Sequence, residues 1–192
     1  MVLQRNGGIA DDYADELKIR LRQQAVVAEL GQKALASQDL QALMDDAARK
    51  VAQMLGVDYC QVLEYDAHTQ TLLMRAGVGW KDGSVGSARD AIGEASQAGF
   101  TLQMTEPVIV QDWRNETRFQ APQLLGEHRV ISGMSIVIPG DPHPFGVFAV
   151  HTKSQRDFTK KDVNFLRNVV NILAASIERQ KIEAPLPGTR NE

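Results

Sequence analysis

Apolar side chains recur every three or four residues in three long stretches of the chain. The first stretch covers residues 11–36, the second 40–55 and the third 160–181. This spacing places apolar side chains on one face of an α-helix. We therefore predict three helices, with Asp39 as the N-cap of the second and Gly56 as its C′ residue.

The start of the third helix carries its own capping signal. Thr159 stands directly before the apolar pattern, and Asp162 follows three residues later. In a capping box, each of these side chains accepts a hydrogen bond from the backbone N–H of the other residue. The spacing therefore predicts that the helix begins after Thr159.

The two ends of the chain lack such patterns. Residues 1–10 contain Gly7-Gly8 and no periodicity, so we expect a disordered tail there. Prolines at 185 and 187 stop the third helix, and residues 182–192 are expected to form a flexible tail.

A period of two, typical of β-strands, appears in the segments between the helices. Tyr59, Gln61, Leu63 and Tyr65 project to one face of a predicted strand, and the alternate residues project to the other. Proline-rich residues 139–144 separate two β-branched runs and predict a hairpin turn. The predicted strands are 59–65, 71–76, 107–110, 134–138 and 145–151.

These elements together predict an α+β fold. We expect a central antiparallel sheet of about six short strands, with the terminal helices packed on one face and irregular loops over a pocket on the other. The first and third helices are apolar over more than one stripe, although packing on one sheet needs only one. We therefore expect a homodimer that forms through these terminal helices, with residues 11–36 as the dimerisation helix.

Composition narrows the function classes. The net charge is about −3, so there is no strong positive field to attract nucleic acid. The single cysteine, Cys60, excludes an intrachain disulfide and a cysteine-based zinc cluster, and it suits a reducing compartment. We find no signal peptide pattern and no apolar run long enough to span a bilayer. The expected location is the cytoplasm.

Several short motifs resemble those of GAF domains from bacterial signalling proteins, over roughly residues 24 to 180. The motifs are RAGVGW (75–80), SQAGFTL (96–102), EPVIVQDW (106–113), RVISGMSIVIPG (129–140), and FGVFAVHTK (145–153) followed by RDFTKKDVNFL (156–166). The resemblance implies that residues 37–181 form a GAF domain that ends in the third helix.

The resemblance also implies a function. GAF domains are small-molecule-binding or structural modules, so we expect a sensory or regulatory domain that is not an enzyme. Binding in a pocket would be relayed through dimeric terminal helices to an output domain or partner protein. The alternative is a GAF domain without ligand that serves as a scaffold for dimerisation and docking.

The loop that closes the predicted pocket supplies most of the candidate ligand contacts. Its aromatic rings could stack on a planar ligand, and its two arginines could pair with an anion. The alternative for residues 112–118 is a local loop network. The candidate residues are Phe100, Asp112, Trp113, Arg114, Arg118, Phe119, His128 and Ser132.

The sequence does not identify a cofactor when it is compared with the binding motifs of known GAF ligands. The motif associated with cyclic nucleotide binding is incomplete here, because Thr152 replaces Asn and Val163 replaces Glu, while Lys153, Phe158 and Asp162 are retained. We expect Lys153 and Asp162 to form a structural ion pair. This departure argues against a cyclic nucleotide.

Other family chemistries also lack residues in this chain. Covalent bilin attachment usually uses a Cys-His pair, whereas Cys60 precedes Gln61. Haem would need an axial ligand such as His128 or His151, and a lone histidine is more often structural. Free methionine sulfoxide reductases resemble GAF domains but need several cysteines. We expect no metal site.

Overall fold

The computed structural model describes residues 6–92 and 96–183, which form five helices, one 3-10 turn and six strands. In chain order these are α1 (Asn6–Ala36), α2 (Leu40–Leu55), β1 (Tyr59–Asp66), β2 (Thr71–Val78), β3 (Arg89–Ala91), α3 (Gln97–Leu102), β4 (Val108–Val110), a 3-10 turn (Trp113–Asn115), α4 (Gln123–Glu127), β5 (Ser132–Ile138), β6 (Gly146–Thr152) and α5 (Lys160–Glu183).

The six strands form one antiparallel sheet in the order β3-β2-β1-β6-β5-β4. The predicted hairpin is present, with Met134 opposite Val150 and Ile136 opposite Phe148. The predicted α+β fold with a six-stranded antiparallel sheet is therefore confirmed. The sixth strand, β3, lies in a segment that sequence reasoning left irregular.

Helices cover one face of the sheet. On this face Cys60, Val62, Ile136 and Phe148 are buried in one hydrophobic cluster with residues of the helices. Helix α2 packs on β1 and β2, α5 packs on β5, and α1 packs outside them against α2 and α5. Burial of this cluster supplies the main apolar contribution to stability. The opposite face, which we call the loop face, is covered by α3, α4 and the connecting segments.

The predicted helix caps are formed. Asp39 Oδ1 accepts a hydrogen bond from the Ala42 N–H at 2.9 Å, and Gly56 adopts a left-handed conformation with φ of 60°. Thr159 and Asp162 bond reciprocally, with the Thr159 N–H donating at 2.9 Å and the Asp162 N–H donating at 3.2 Å. These local interactions explain why α2 and α5 begin where they do.

The ends of the helices differ from the predicted bounds. Helix α1 begins at Asn6, so residues 6–10 have helical backbone where a disordered tail was expected. Helix α5 continues to Glu183, two residues beyond the predicted end. Residues 1–5 and 184–192, which belong to the predicted tails, lie outside the described residues.

Helices α1 and α5 lie side by side and run in the same direction, because the residue pairs in contact at both ends are separated by the same number of residues. Near their N-terminal ends, Lys161 Nζ lies 2.6 Å from Glu16 Oε1. At the other end, Arg179 donates to the carbonyl oxygen of Ala34, and Gln38 Nε2 donates to Glu183 at 3.0 Å. The last turn of α5 is thus held against the α1–α2 connection.

The two helices differ in how their extra apolar residues are used. Phe165 and Val169, the second stripe of α5, are buried within the same chain and do not require another subunit. In contrast, Tyr13, Leu17 and Leu21 of α1 are half or more exposed. Helix α1 therefore retains several exposed apolar side chains of the kind that a dimer would bury, whereas on α5 the exposed large apolar side chain is Ile182, near its end. Of the helices in the described part of the chain, none is long and apolar enough to cross a membrane.

Candidate functional site

A small cavity lies on the loop face, between the centre of the sheet and helices α3 and α4. Its volume of about 10 Å³ is close to the minimum that can hold one water molecule. The residues that line it are Gln61, Asp90, Gln97, Ala98, Pro122, Leu124, Leu125, Ser135, Ala149 and His151. The cavity is therefore apolar toward α4 and polar toward the strands.

The strand register brings the polar side chains together. Gln61 on β1 pairs with Ala149 on β6, and Ala149 pairs in turn with Ser135 on β5. One step along the strands on the same face, His151 pairs with Gly133. Side chains two residues apart on a strand share a face, so Gln61, Ser135 and His151 all point toward the loop face. The sheet thus supplies one wall of the cavity.

Helix α3 supplies a second wall through Gln97. The N-cap of α3 is Ser96, whose Oγ accepts a hydrogen bond from the Gly99 N–H at 3.0 Å. Gln97 Nε2 donates to Ser135 Oγ at 3.0 Å and to the Val108 carbonyl oxygen at 3.3 Å. Thr101 Oγ1 lies 2.7 Å from Ser135 Oγ and donates to the Gln97 carbonyl oxygen at 2.7 Å. This network fixes the Gln97 side chain against β5.

Three polar atoms around the cavity have no hydrogen-bond partner among the described residues. They are Gln61 Oε1, Gln97 Oε1 and His151 Nδ1. The three side chains are 4%, 3% and 1% exposed, so bulk water does not satisfy these atoms. A buried polar atom without a partner costs about 1–3 kcal/mol. The arrangement therefore favours a bound water or ligand that supplies the missing hydrogen bonds.

Burial also sets the charge of the cavity. It lowers the pKa of His151 to about 3, so this imidazole is neutral at physiological pH. Burial raises the pKa of the Asp90 carboxyl, because the charged form loses solvation. No Lys or Arg side chain occurs among the described residues that line the cavity. The only formal charge available there is negative.

The two arginines predicted to contact a ligand are paired with carboxylates of their own loop. Arg114 Nη2 lies 2.6 Å from Asp112 Oδ2, and Arg118 Nη2 lies 2.7 Å from Glu116 Oε2. These pairs lower the pKa of both carboxyls and raise the pKa of both guanidinium groups. The pairing matches the local loop network that the sequence left as an alternative.

The remaining predicted residues occupy three other places. Phe100, Trp113 and Phe119 pack around β4, with the Phe100 and Phe119 ring centroids 5.3 Å apart. His128 Nδ1 lies 2.8 Å from the Leu124 carbonyl oxygen, and its Nε2 accepts from the Lys81 N–H at 3.1 Å.

Ser132 lies on the helix face of the sheet, where its hydroxyl accepts a hydrogen bond from the Arg156 N–H at 2.9 Å. None of the eight predicted residues lines the cavity. Their role in ligand binding stays a prediction.

Sequence reasoning missed the polar residues that do line the cavity. The signal for Gln61 was present, because it falls on the same face as Tyr59 and Leu63 in an alternating strand where an apolar residue is usual. For Gln97 and Ser135 there was no local signal, since their contact depends on a separation of 38 residues.

A larger groove of about 880 Å³ lies between the N-terminal half of α1 and the start of α5. Exposed charged side chains such as Glu16, Arg20 and Lys161 line much of it. Long exposed side chains of this kind do not preorganise a small-molecule site. The groove therefore offers a weaker case for a ligand site than the loop-face cavity does.

The cyclic nucleotide motif positions have structural roles that differ from our expectation. Lys153 does not pair with Asp162. Its side-chain ammonium lies 5.2 Å from the centroid of the Tyr59 ring, and its backbone N–H donates to Asp58 Oδ2 at 2.8 Å. Asp162 caps α5 and lies 3.5 Å from Arg156 Nη2 instead. The predicted Lys153–Asp162 ion pair was wrong because the Lys153 side chain lies over the Tyr59 ring and Arg156 pairs with Asp162 in its place.

The described residues do not form a metal site or present a reactive thiol. Within residues 6–92 and 96–183, no group of three or more His, Cys, Asp or Glu side chains is arranged to hold a metal ion. Cys60 is fully buried in the helix-face core, and burial raises the pKa of its thiol. Such a thiol is a poor nucleophile.

Comparison with known proteins decides the family. The model of the GAF domain matches residues 39–177. The chain belongs to the GAF family. No curated protein sequence matches it. The match runs from the start of α2 to residue 177 within α5, so α1 lies outside the matched residues.

Several solved structures resemble this fold over most of the chain. The GAF domain of a phosphoenolpyruvate-protein phosphotransferase from Coxiella burnetii has a TM-score of 0.76 at 19% identity, covering 86% of this chain and 98% of that one. Its counterpart from Acinetobacter has a TM-score of 0.72 at 21% identity, with 85% and 98% covered. Free methionine-R-sulfoxide reductase from Neisseria meningitidis, in complex with its substrate, has a TM-score of 0.73 at 16% identity, with 87% and 94% covered. At these identities the likeness establishes the fold alone.

Proposed function

We propose that this chain is a cytoplasmic sensory or regulatory GAF domain of a bacterial signal-transduction protein that binds a small molecule in the loop-face cavity. The observation that carries this proposal is the set of three buried polar atoms without partners around the cavity, on Gln61, Gln97 and His151. Several unpaired buried groups on residues that line one cavity are expensive in a module that only needs to fold. A ligand that pairs with them recovers that energy.

The fold offers a physical route from the cavity to α5. Gln97 and Ser135 join α3 to β5 on the loop face, and α5 packs against β5 on the opposite face. The last turn of α5 also contacts the β5–β6 turn, where Lys181 Nζ donates to the Asp141 carbonyl oxygen at 2.8 Å. A ligand that favours one position of α3 and β5 would therefore shift the populations of two α5 positions.

The signal would leave through the terminal helices. Because α1 and α5 are parallel and joined at both ends, a movement of α5 relative to the sheet would carry α1 with it. We propose that α1 forms the interface of a homodimer and that the helices pass the change to an output domain or partner protein. Catalysis is not part of this function, since Cys60 is buried and lacks the second thiol that a disulfide cycle requires.

One observation favours a ligand-free scaffold as the second candidate. The cavity has room for about one water molecule, and a single water can bridge two to four polar partners. In that case the buried polar cluster would be a structural water site, and the domain would serve dimerisation and docking.

Native mass spectrometry of freshly purified protein, followed by an absorption spectrum, separates the two candidates. If the domain is a sensor, we expect a bound molecule of defined mass that denaturation releases. Gln97→Leu removes the unpaired carbonyl oxygen at similar volume and should abolish the adduct, whereas Gln103→Leu, at an exposed position just after α3, should retain it. A clean mass with no absorbance in all three proteins would favour the scaffold.

A further inference from the structure

The cavity has a fixed polarity that restricts which ligands it accepts. Gln97 Nε2 lies 3.3 Å from the Val108 carbonyl oxygen, which can only accept a hydrogen bond. This contact assigns the amide orientation, because the reverse orientation would place two acceptors together. Gln97 Oε1 is therefore an acceptor that needs a donor from whatever enters the cavity.

Gln61 and His151 each also have a polar atom without a hydrogen-bond partner. Gln61 Nε2 lies 3.5 Å from His151 Nε2. If the amide donates to the imidazole, Gln61 Oε1 remains an unpaired acceptor and His151 Nδ1 carries the proton. If the amide is reversed, its NH₂ group remains unpaired and Nδ1 becomes an acceptor. Either assignment leaves one end of the Gln61 amide unpaired. His151 Nδ1 is unpaired as well, but it lies close to the backbone at Gly133.

The charges around the cavity exclude one ligand class. Asp90 is the one formally charged group among the described residues that line it, and neither Lys nor Arg is among them. An anionic ligand would lose its hydration without gaining a countercharge, and it would approach a carboxylate. A cation would also lose its hydration, but it would gain Asp90 as a countercharge, and a neutral donor has less hydration to lose. Asp90 is the middle residue of β3 and lines the same cavity as Gln97.

We propose that the cavity selects a small ligand that donates hydrogen bonds to Gln97 Oε1 and places a cationic nitrogen group, such as an amidinium or ammonium, against Asp90, and that it rejects phosphates and carboxylates. This assignment of ligand class rests on the proposed sensory function of the same cavity. Entry of anything larger than water requires the cavity to widen. The side chains of Leu124 and Leu125 on the short helix α4 form the apolar wall that would have to move.

Three compounds of nearly identical shape test the proposal: acetamidinium, acetamide and acetate. Each has four heavy atoms, and they differ in charge and in the number of N–H donors. The full chain, labelled with ¹⁵N, would be titrated with each compound to about 50 mM, since ligands of this size bind weakly. The readouts are the side-chain NH₂ signals of Gln61 and Gln97 and the backbone amide of Ala149, which all lie at the cavity.

We expect acetamidinium to shift these signals with an affinity at least about tenfold higher than that of acetate, with acetamide between them. Asp90→Asn should weaken acetamidinium about tenfold and change acetamide little, since the amide gains no charge interaction. Asp82→Asn, at an exposed position in the same connecting segment, should leave the order unchanged.

Two results would overturn the assignment in different ways. Binding of acetate at these signals as tightly as acetamidinium, or an unchanged acetamidinium affinity in Asp90→Asn, would refute the cationic class while leaving a ligand site in place. The absence of shifts at these signals with all three compounds would refute the class as well. The sensory function itself is judged separately by the retained adduct in native mass spectrometry.

Discussion

The imidazole of His151 lies directly against the backbone of Gly133 on the neighbouring strand. A Cβ atom added at Gly133 would stand 2.4 Å from His151 Nδ1 and 3.2 Å from the Val150 carbonyl oxygen. His151 is 1% exposed, so its ring has no free space into which it could rotate. The close approach of β5 and β6 at the cavity therefore requires glycine at position 133.

Gly133→Ala should destabilise the fold for this steric reason. We expect a loss of about 1–3 kcal/mol in the free energy of unfolding, the usual cost of overpacking a core by one methyl group. Urea unfolding followed by circular dichroism measures it. Gly31→Ala is the matched control, because a Cβ there has no neighbour within 4 Å. In the middle of α1 that change should stabilise the protein by about 0.5–1 kcal/mol. Equal urea midpoints for Gly133→Ala and wild type would show that the His151 ring is not confined.

His151 should make stability depend on pH below neutrality. Burial lowers its pKa from 6.5 to about 3 in the folded state, so the unfolded chain binds an extra proton between these values. The stabilisation is complete above pH 6.5 and is lost as the pH falls toward 3. A shift of this size predicts a loss of about 2 kcal/mol in the free energy of unfolding between pH 7 and pH 5.

Comparing variants isolates this contribution from that of the carboxyl groups. His151→Gln should be less stable than wild type at pH 7, but its stability should fall by about 2 kcal/mol less between pH 7 and pH 5. His68→Gln, at an exposed turn position, should retain the wild-type dependence. The same pH slope in His151→Gln and wild type would mean that the ring is protonated in the folded state.

The parts of the fold that sequence reasoning predicted are those fixed by local physics. The N-cap at Asp39 and the capping box at Thr159 involve residues three apart, and the strand alternation at 59–65 follows from the two-residue repeat of extended backbone. Strand β3 was missed because its three residues, Arg89–Ala91, include no β-branched or aromatic residue, whereas the equally short β4 has the sequence Val-Ile-Val. Its place in the sheet depends on pairing with β2 rather than on its own pattern.

The cavity could not be predicted because its polarity arises from distant contacts. Arg114 and Arg118 attracted attention as cations in a pocket loop, but each has a carboxylate two residues earlier that engages it in a local ion pair. The polar lining of the cavity comes instead from uncharged amides, Gln61 and Gln97, whose burial depends on the register of β1 and the position of α3. Polar residues acquire such roles only once tertiary packing excludes water from them.

Helix α1 provides the last prediction, which concerns the homodimer. Leu17 and Leu21 lie four residues apart on its N-terminal half and are 50% and 56% exposed, so the two side chains form a stripe that this chain leaves uncovered. If a second copy covers the stripe, changing both residues to Ser should raise the dimer dissociation constant by at least about tenfold, since each apolar contact is lost twice in a symmetric interface.

Sedimentation velocity at tens of micromolar measures this dissociation constant. Leu35→Ser, at the other end of α1, is the control, because Leu35 is 80% exposed and lies beyond the stripe. A wild-type protein that sediments as a monomer at that concentration would refute the dimer, and loss of the dimer in Leu35→Ser would place the interface elsewhere on α1.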